Sequence, residues 1–343
     1  MQRRHVLAAS LGVVGAAQAK GTAALRVLAW PGYAEPEVVR AFEAKYPVKV
    51  ELTVIDTDEG LWQRLAARQG GEFDVVSLNI AELNRAVRAG LLQPVDSVSV
   101  PTIRRQLPRF QRAEDIPGLK HAGRRFGVPF TYSTMGLIYD KRQLSEPPRS
   151  LQVLWDPRWQ GKVVGYEGGS HNVSIAAQVL GLSSPFQVPA EAWPQVAERL
   201  IALRRNVLGF YGQPDESVAL FLRHGAALMF ANYGTQQLRL LEQAGAAVGY
   251  AFPREGTLAW LDCWAISRGS ADVPMAHAWI DHVLGDLASD LLVQRQGLAN
   301  TRRAGDAPDP RLLWLEPVED AARRERLWAR VIAGDSLNKV LSA

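Results

Sequence analysis

The sequence predicts an α/β protein of two lobes with a cleft between them, and three observations carry that expectation. Stretches with strand and helix periodicity alternate along the 343 residues. The two α/β halves are connected by extended segments near 125–139 and 257–266 rather than by one linker, so the chain crosses twice between lobes. Apolar residues make up 47% of the sequence with no low-complexity tract, the composition of a globular chain long enough for two cores.

The elements follow in order. Leu25–Trp30 reads as a strand, and Glu35–Tyr46 as a helix with Val38, Val39, Phe42 and Tyr46 at helical spacing. Val48–Val54 alternates and is β-branched, a second strand. Gly60–Gln69 reads as a helix, Phe73–Leu78 as a strand, and Ala81–Ala89 as a helix ended by Gly90. Arg125–Phe130 and Met135–Tyr139 are extended and joined through Ser133-Thr134 at the first crossing. The strand Lys162–Gly165 follows, then helices from Ser170 to Gly181, Ala192–Arg205 and Glu216–His224. Gly225–Asn232 is a strand and Thr235–Ala244 a helix; Ala247–Phe252 and Thr257–Ile266 are the last strands. Helices are expected at Ala276–Leu284, Ser289–Arg295 and Trp314–Val331. The expected division is a leader over 1–19, one lobe from 25–131 plus 259–305, the other from 135–255, and C-terminal helices over 306–343 packing on the lobes.

The N-terminus reads as an export signal. Arg3-Arg4-His5 is a short cationic region, Val6–Ala17 is apolar, and Ala17-Gln18-Ala19 offers small residues for cleavage before Lys20. The Arg3-Arg4 pair also fits twin-arginine export. A periplasmic location is therefore expected. Cys263 is the one cysteine, so no disulfide framework forms, and it lies too far along to carry a lipid anchor. The formal charge of +4 includes Arg3 and Arg4, and basic residues are interspersed with acidic ones, which speaks against nucleic acid. No G-x-S-x-G, H-E-x-x-H, G-x-G-x-x-G or Walker pattern is present, and the six histidines are scattered. An enzyme is the remote alternative; no cofactor and no metal are expected.

Residues just after strands are the ones that face a ligand in open α/β sheets. Here they are Trp30 and Tyr33, then Ser77 and Asn79, then Thr131–Thr134 with Tyr132, and finally Trp260 and Asp262. An acid inside the apolar run Leu258–Ile266 is costly unless paired or functional. Aromatic faces beside one carboxylate suit an ammonium group, each ring offering about 0.5–2 kcal/mol of cation–π attraction.

These residues resemble the spermidine/putrescine-binding proteins of bacterial polyamine ABC importers over nearly the whole mature length. Leu28–Tyr33, Phe73–Val76, Gly90–Asp96 and Val128–Gly136 match that family's segments in order, as do Trp155 with Gln160-Gly161-Lys162. The fullest match is Pro253-Arg254-Glu255-Gly256 through Trp260-Leu261-Asp262. The resemblance implies the type II periplasmic-binding-protein fold, with Trp30, Tyr33, Trp260 and Asp262 taking a polyamine by hinge closure. It also implies a monomer that delivers its ligand to a membrane permease. The pattern is departed from after Lys162–Gly165: Glu167 remains, but His171 stands at a later acidic position. Ala81, Ala231 and Leu298 replace aromatics, with Tyr233 two residues beyond Ala231. With one acidic end missing, an amino-acid-like zwitterion is the alternative ligand. Its anionic end is expected at the helix start Gly168-Gly169-Ser170, assisted by His171. Capture of an anion or ferric ion by the same fold, or service as a sensor subunit, are further alternatives.

Overall fold

A computed structural model describes residues 23–55, 57–303 and 311–342. The leader expected at 1–19 lies outside the described residues.

The strands are β1 (Ala23–Ala29), β2 (Val48–Val54), β3 (Val75–Asn79), β4 (Leu92–Gln93), β5 (Lys120–His121), β6 (Arg124–Arg125) and β7 (Val128–Asp140). They continue with β8 (Val163–Tyr166), β9 (Val207–Tyr211), β10 (Leu228–Ala231), β11 (Val248–Ala251), β12 (Thr257–Ser267), β13 (Ala299–Asn300) and β14 (Leu312–Trp314). The main sheet runs in the order β2-β1-β3-β12-β7-β10-β8-β9. Its first half is parallel among β2, β1 and β3, with β12 entering antiparallel. Its second half is parallel among β10, β8 and β9.

β7 joins the halves. Val128–Met135 pairs with β12, whereas Gly136–Asp140 pairs with β10 and β11. The first crossing is therefore one continuous 13-residue strand, not two segments joined at Ser133-Thr134. The small polar side chains there sit within a regular ladder instead of breaking it.

Other differences have local causes. The helix expected from Gly60 begins at Asp58, because the Thr57 hydroxyl accepts the Gly60 N–H at 3.0 Å. It ends at Ala66, and Arg68 and Gln69 take positive φ. Residues 207–211 form β9 beside β8. Trp314 ends β14, parallel to β12, rather than starting a helix. Pro317 breaks the stretch, and the helix Ala321–Ile332 starts where Asp320 accepts the Arg323 N–H at 2.8 Å. That helix packs on the helices Gly169–Val179 and Trp193–Asn206. The helix Asp286–Leu291 passes into a wider turn, Leu292–Gln296, closed by Gly297 at φ +66°.

β12 is buried along all of its 11 residues. Its alternation puts Trp260 and Trp264 into one core cluster and Leu261, Cys263 and Ala265 into another. Asp262 shares the face of the two tryptophans. A bulge against β7 falls between Asp262 and Cys263, where bulges commonly re-aim a side chain.

Candidate functional site

Asp262 is only 6% exposed, and the Tyr33 hydroxyl donates to its Oδ2 at 2.6 Å. Burial lifts the carboxyl to about 7 despite that bond, and burial beside Asp262 raises the Tyr33 phenol. Across the ladder, Asp262 faces Asn79 at the end of β3. Asn79 caps the helix Ile80–Arg88, its Oδ1 accepting the Glu82 N–H at 3.0 Å. Its Nδ2 donates to Asp58 Oδ1 at 2.9 Å. The Asp58 carboxyl is pushed up to about 8, first by burial, then by the negative charges of Glu82 and Asp262. Two carboxylates thus share one corner, and among the described residues neither has a cation at ion-pair distance.

This corner opens into a cavity of about 440 Å³. Trp30, Tyr33, Asp58, Asn79, Trp260 and Asp262 form one wall, carried by β1, β3, β12 and the chain after β2. The opposite wall holds Tyr166, His171, Asn232, Tyr233, Gln236 and Arg239. The walls touch where the Trp260 indole N–H donates to the Asn232 carbonyl at 3.1 Å. They meet again at the mouth, where Thr235 Oγ1 donates to the Gly297 carbonyl at 2.9 Å and Gln236 Nε2 to Gln296 Oε1 at 3.1 Å.

The opposite wall is mostly aromatic and neutral. His171 stacks on Tyr166 at 5.5 Å, and Tyr233 meets Tyr166 edge-on at 6.1 Å. Burial lowers His171 to about 4, although the neighbouring Asn232 side chain opposes the shift. Burial thus disfavours a positive charge on the imidazole beside the Gly168-Gly169-Ser170 helix start.

Of the residues singled out in the sequence, Trp30, Tyr33, Asn79, His171, Tyr233, Trp260 and Asp262 line this cavity. Three do not. Tyr132 turns into the apolar cluster with Phe110 and Trp314, its hydroxyl accepting from Arg109 at 2.7 Å. The Glu167 side chain is exposed, while its carbonyl accepts the Trp328 indole N–H. Ser170 and Gly169 point their N–H groups at Glu325, at 3.0 and 3.3 Å. The helix start expected to receive an anion is filled by a carboxylate of the chain itself.

Sequence reasoning passed over Asp58, Tyr166, Asn232, Gln236 and Arg239. The first three follow β2, end β8 and follow β10, so the strand-end rule applied more widely would have found them. Gln236 and Arg239 lie on an amphipathic helix and carry no such signal. No group of three or more His, Cys, Asp or Glu among the described residues is arranged for a metal ion. No described helix is long and apolar enough to cross a membrane.

Comparison with known proteins places the chain. A putrescine/agmatine-binding protein of Pseudomonas aeruginosa is 27% identical over 276 residues, covering 74% of this chain and 72% of that one. A spermidine/putrescine-binding periplasmic protein of Haemophilus influenzae is 23% identical over 306 residues, covering 88% and 82%. The solved structure of a putative spermidine/putrescine ABC transporter from Listeria monocytogenes superposes with a TM-score of 0.76 at 18% identity, covering 91% of this chain and 98% of that one. The two-lobed periplasmic-binding-protein fold expected from the sequence is the fold found. Residues 37–303 match the family described as bacterial extracellular solute-binding protein, and the chain belongs to it.

Proposed function

We propose that this chain is the periplasmic substrate-binding component of an ABC importer and that its cavity captures a small amine-bearing solute. One observation carries the ligand class: Asp262, buried, and Asp58, half-buried, share one corner of the cavity beside Trp30 and Trp260, with no cation at ion-pair distance among the described residues. An ammonium group there would form charge-assisted hydrogen bonds to the carboxylates and lie against indole faces. It would replace the mutual repulsion of the two acids with attraction, and the low local dielectric around Asp262 would strengthen it. The relatives named for putrescine, agmatine and spermidine support the same class. Hydrogen bonds between the walls fit a protein that closes around its ligand, and such a closed form would be what a permease meets.

A thermal-shift screen of amines, followed by calorimetry on the best, tests the proposal. A bound amine at about 100 times its Kd should add roughly 2.7 kcal/mol of stability. If no amine shifts the melting point of the wild type, the ligand class is wrong.

A further inference from the structure

The two walls differ in charge as well as in origin. Asp58 and Asp262 stand on one side, and Arg239 is among the residues that line the other. Arg239 donates through Nη1 to the Val293 carbonyl at 2.5 Å, and its stem lies over Gly297, where a Cβ would come within 2.8 Å of Cδ. That bond is to a neutral acceptor. No carboxylate among the described residues neutralises Arg239. Arg295, the other cavity-lining arginine, is already matched by Glu35 at 2.8 Å and Glu37 at 2.7 Å.

We infer that the solute is zwitterionic, an ω-amino acid or a relative of one, with its ammonium at Asp58 and Asp262 and its carboxylate on Arg239. This rests on the amine reading above and narrows it. A guanidinium with free N–H groups reads a carboxylate by paired hydrogen bonds, and it repels the second ammonium of a diamine. It also replaces the helix start at Ser170, whose N–H groups Glu325 occupies, as the place for an anionic end. The competing occupant is a diamine. Its second ammonium would use Asp215, which lies exposed on the same wall as Arg239.

The test is calorimetry with two probes of equal carbon count, 4-aminobutyrate and putrescine, on the wild type, Arg239→Gln, Arg239→Lys and Asp215→Asn. Melting curves of each variant verify folding. The zwitterion should bind wild type at least about 10-fold more tightly than the diamine. Arg239→Gln should weaken 4-aminobutyrate at least about 10-fold and leave putrescine within about 3-fold, while Arg239→Lys recovers part of the loss. If Arg239→Gln weakens both probes equally, the side chain only holds the walls together, and the inference falls. Tighter putrescine binding that Asp215→Asn removes also overturns it, yet leaves the amine reading intact. Binding of neither probe, nor of any other amine, defeats both.

Discussion

The two walls of the cavity were built by different means. The carboxylate wall is a strand-end surface: Trp30 follows β1, Asn79 ends β3 and caps the next helix, and Trp260 and Asp262 sit in the β12 ladder. The opposite wall is a helix-and-turn surface, where His171, Gln236 and Arg239 project from helices and Asn232 and Tyr233 from the turn after β10. The first is positioned by backbone pairing and holds nearly all of the buried charge. The second is positioned by packing of rings and reaches the first through a few hydrogen bonds at the mouth. The difference implies that binding strength resides in the strand wall, while selectivity and closure reside in the helix wall.

Asp262→Asn should break this division most deeply. Loss of the charge should weaken an amine about 10- to 150-fold, the range of roughly 1.5–3 kcal/mol for a hydrogen bond to a charged group. Calorimetry on the best amine from the screen measures it, and unchanged affinity would remove Asp262 from the site. Trp30→Ala should cost about 2- to 30-fold in the same assay, the range of a cation–π contact. On the helix side, Thr235→Val removes one mouth contact and should raise Kd about 2- to 10-fold for every amine alike. A change in preference among amines would show instead that Thr235 touches the ligand. Glu325→Ala should be silent in binding. It should lower stability by about 0.5–2 kcal/mol, as a lost helix cap does, read from denaturant unfolding.

The same contrast explains what the sequence made legible. The succession of elements and the lobed architecture were readable because strand-like segments recur between helix-period ones, as in the alternating Val48–Val54 and the apolar Thr257–Ser267, the latter buried throughout. Asp262 stood out because an acid inside such a run has no inexpensive explanation. Asp58 did not. It lies in Ile55-Asp56-Thr57-Asp58-Glu59-Gly60, where acids are ordinary, and its place in the cavity arises only when Asn79 is folded against it. Arg239 reads as a solvated arginine on an amphipathic helix, and its contacts with Val293 and Gly297 exist only in the fold. Glu167 and Ser170 are adjacent in sequence to cavity residues and Tyr132 lies at the first crossing, yet all three turn elsewhere, since position along the chain does not fix side-chain direction. The short β9 and β14 were missed because their identity comes from pairing with β8 and β12 rather than from their own pattern.

The central claim is that Asp58 and Asp262 form the cation site, and proton linkage tests it most directly. Burial pushes these acids up to about 8 and about 7, against 3.8 for an ordinary aspartate. Protonated carboxyls favour the empty fold, so their contribution to its stability is full below about pH 4 and is lost as pH rises through 7 and 8. A bound ammonium has the opposite requirement, because it needs both acids ionised. Calorimetry at pH 6.5 in two buffers of different ionisation enthalpy should show about one to two protons released per amine bound, with affinity rising from pH 6 to 8. Asp262→Asn should lower the number released. Binding without proton release, at an affinity flat across that range, would contradict the assignment of these carboxylates as the ammonium site.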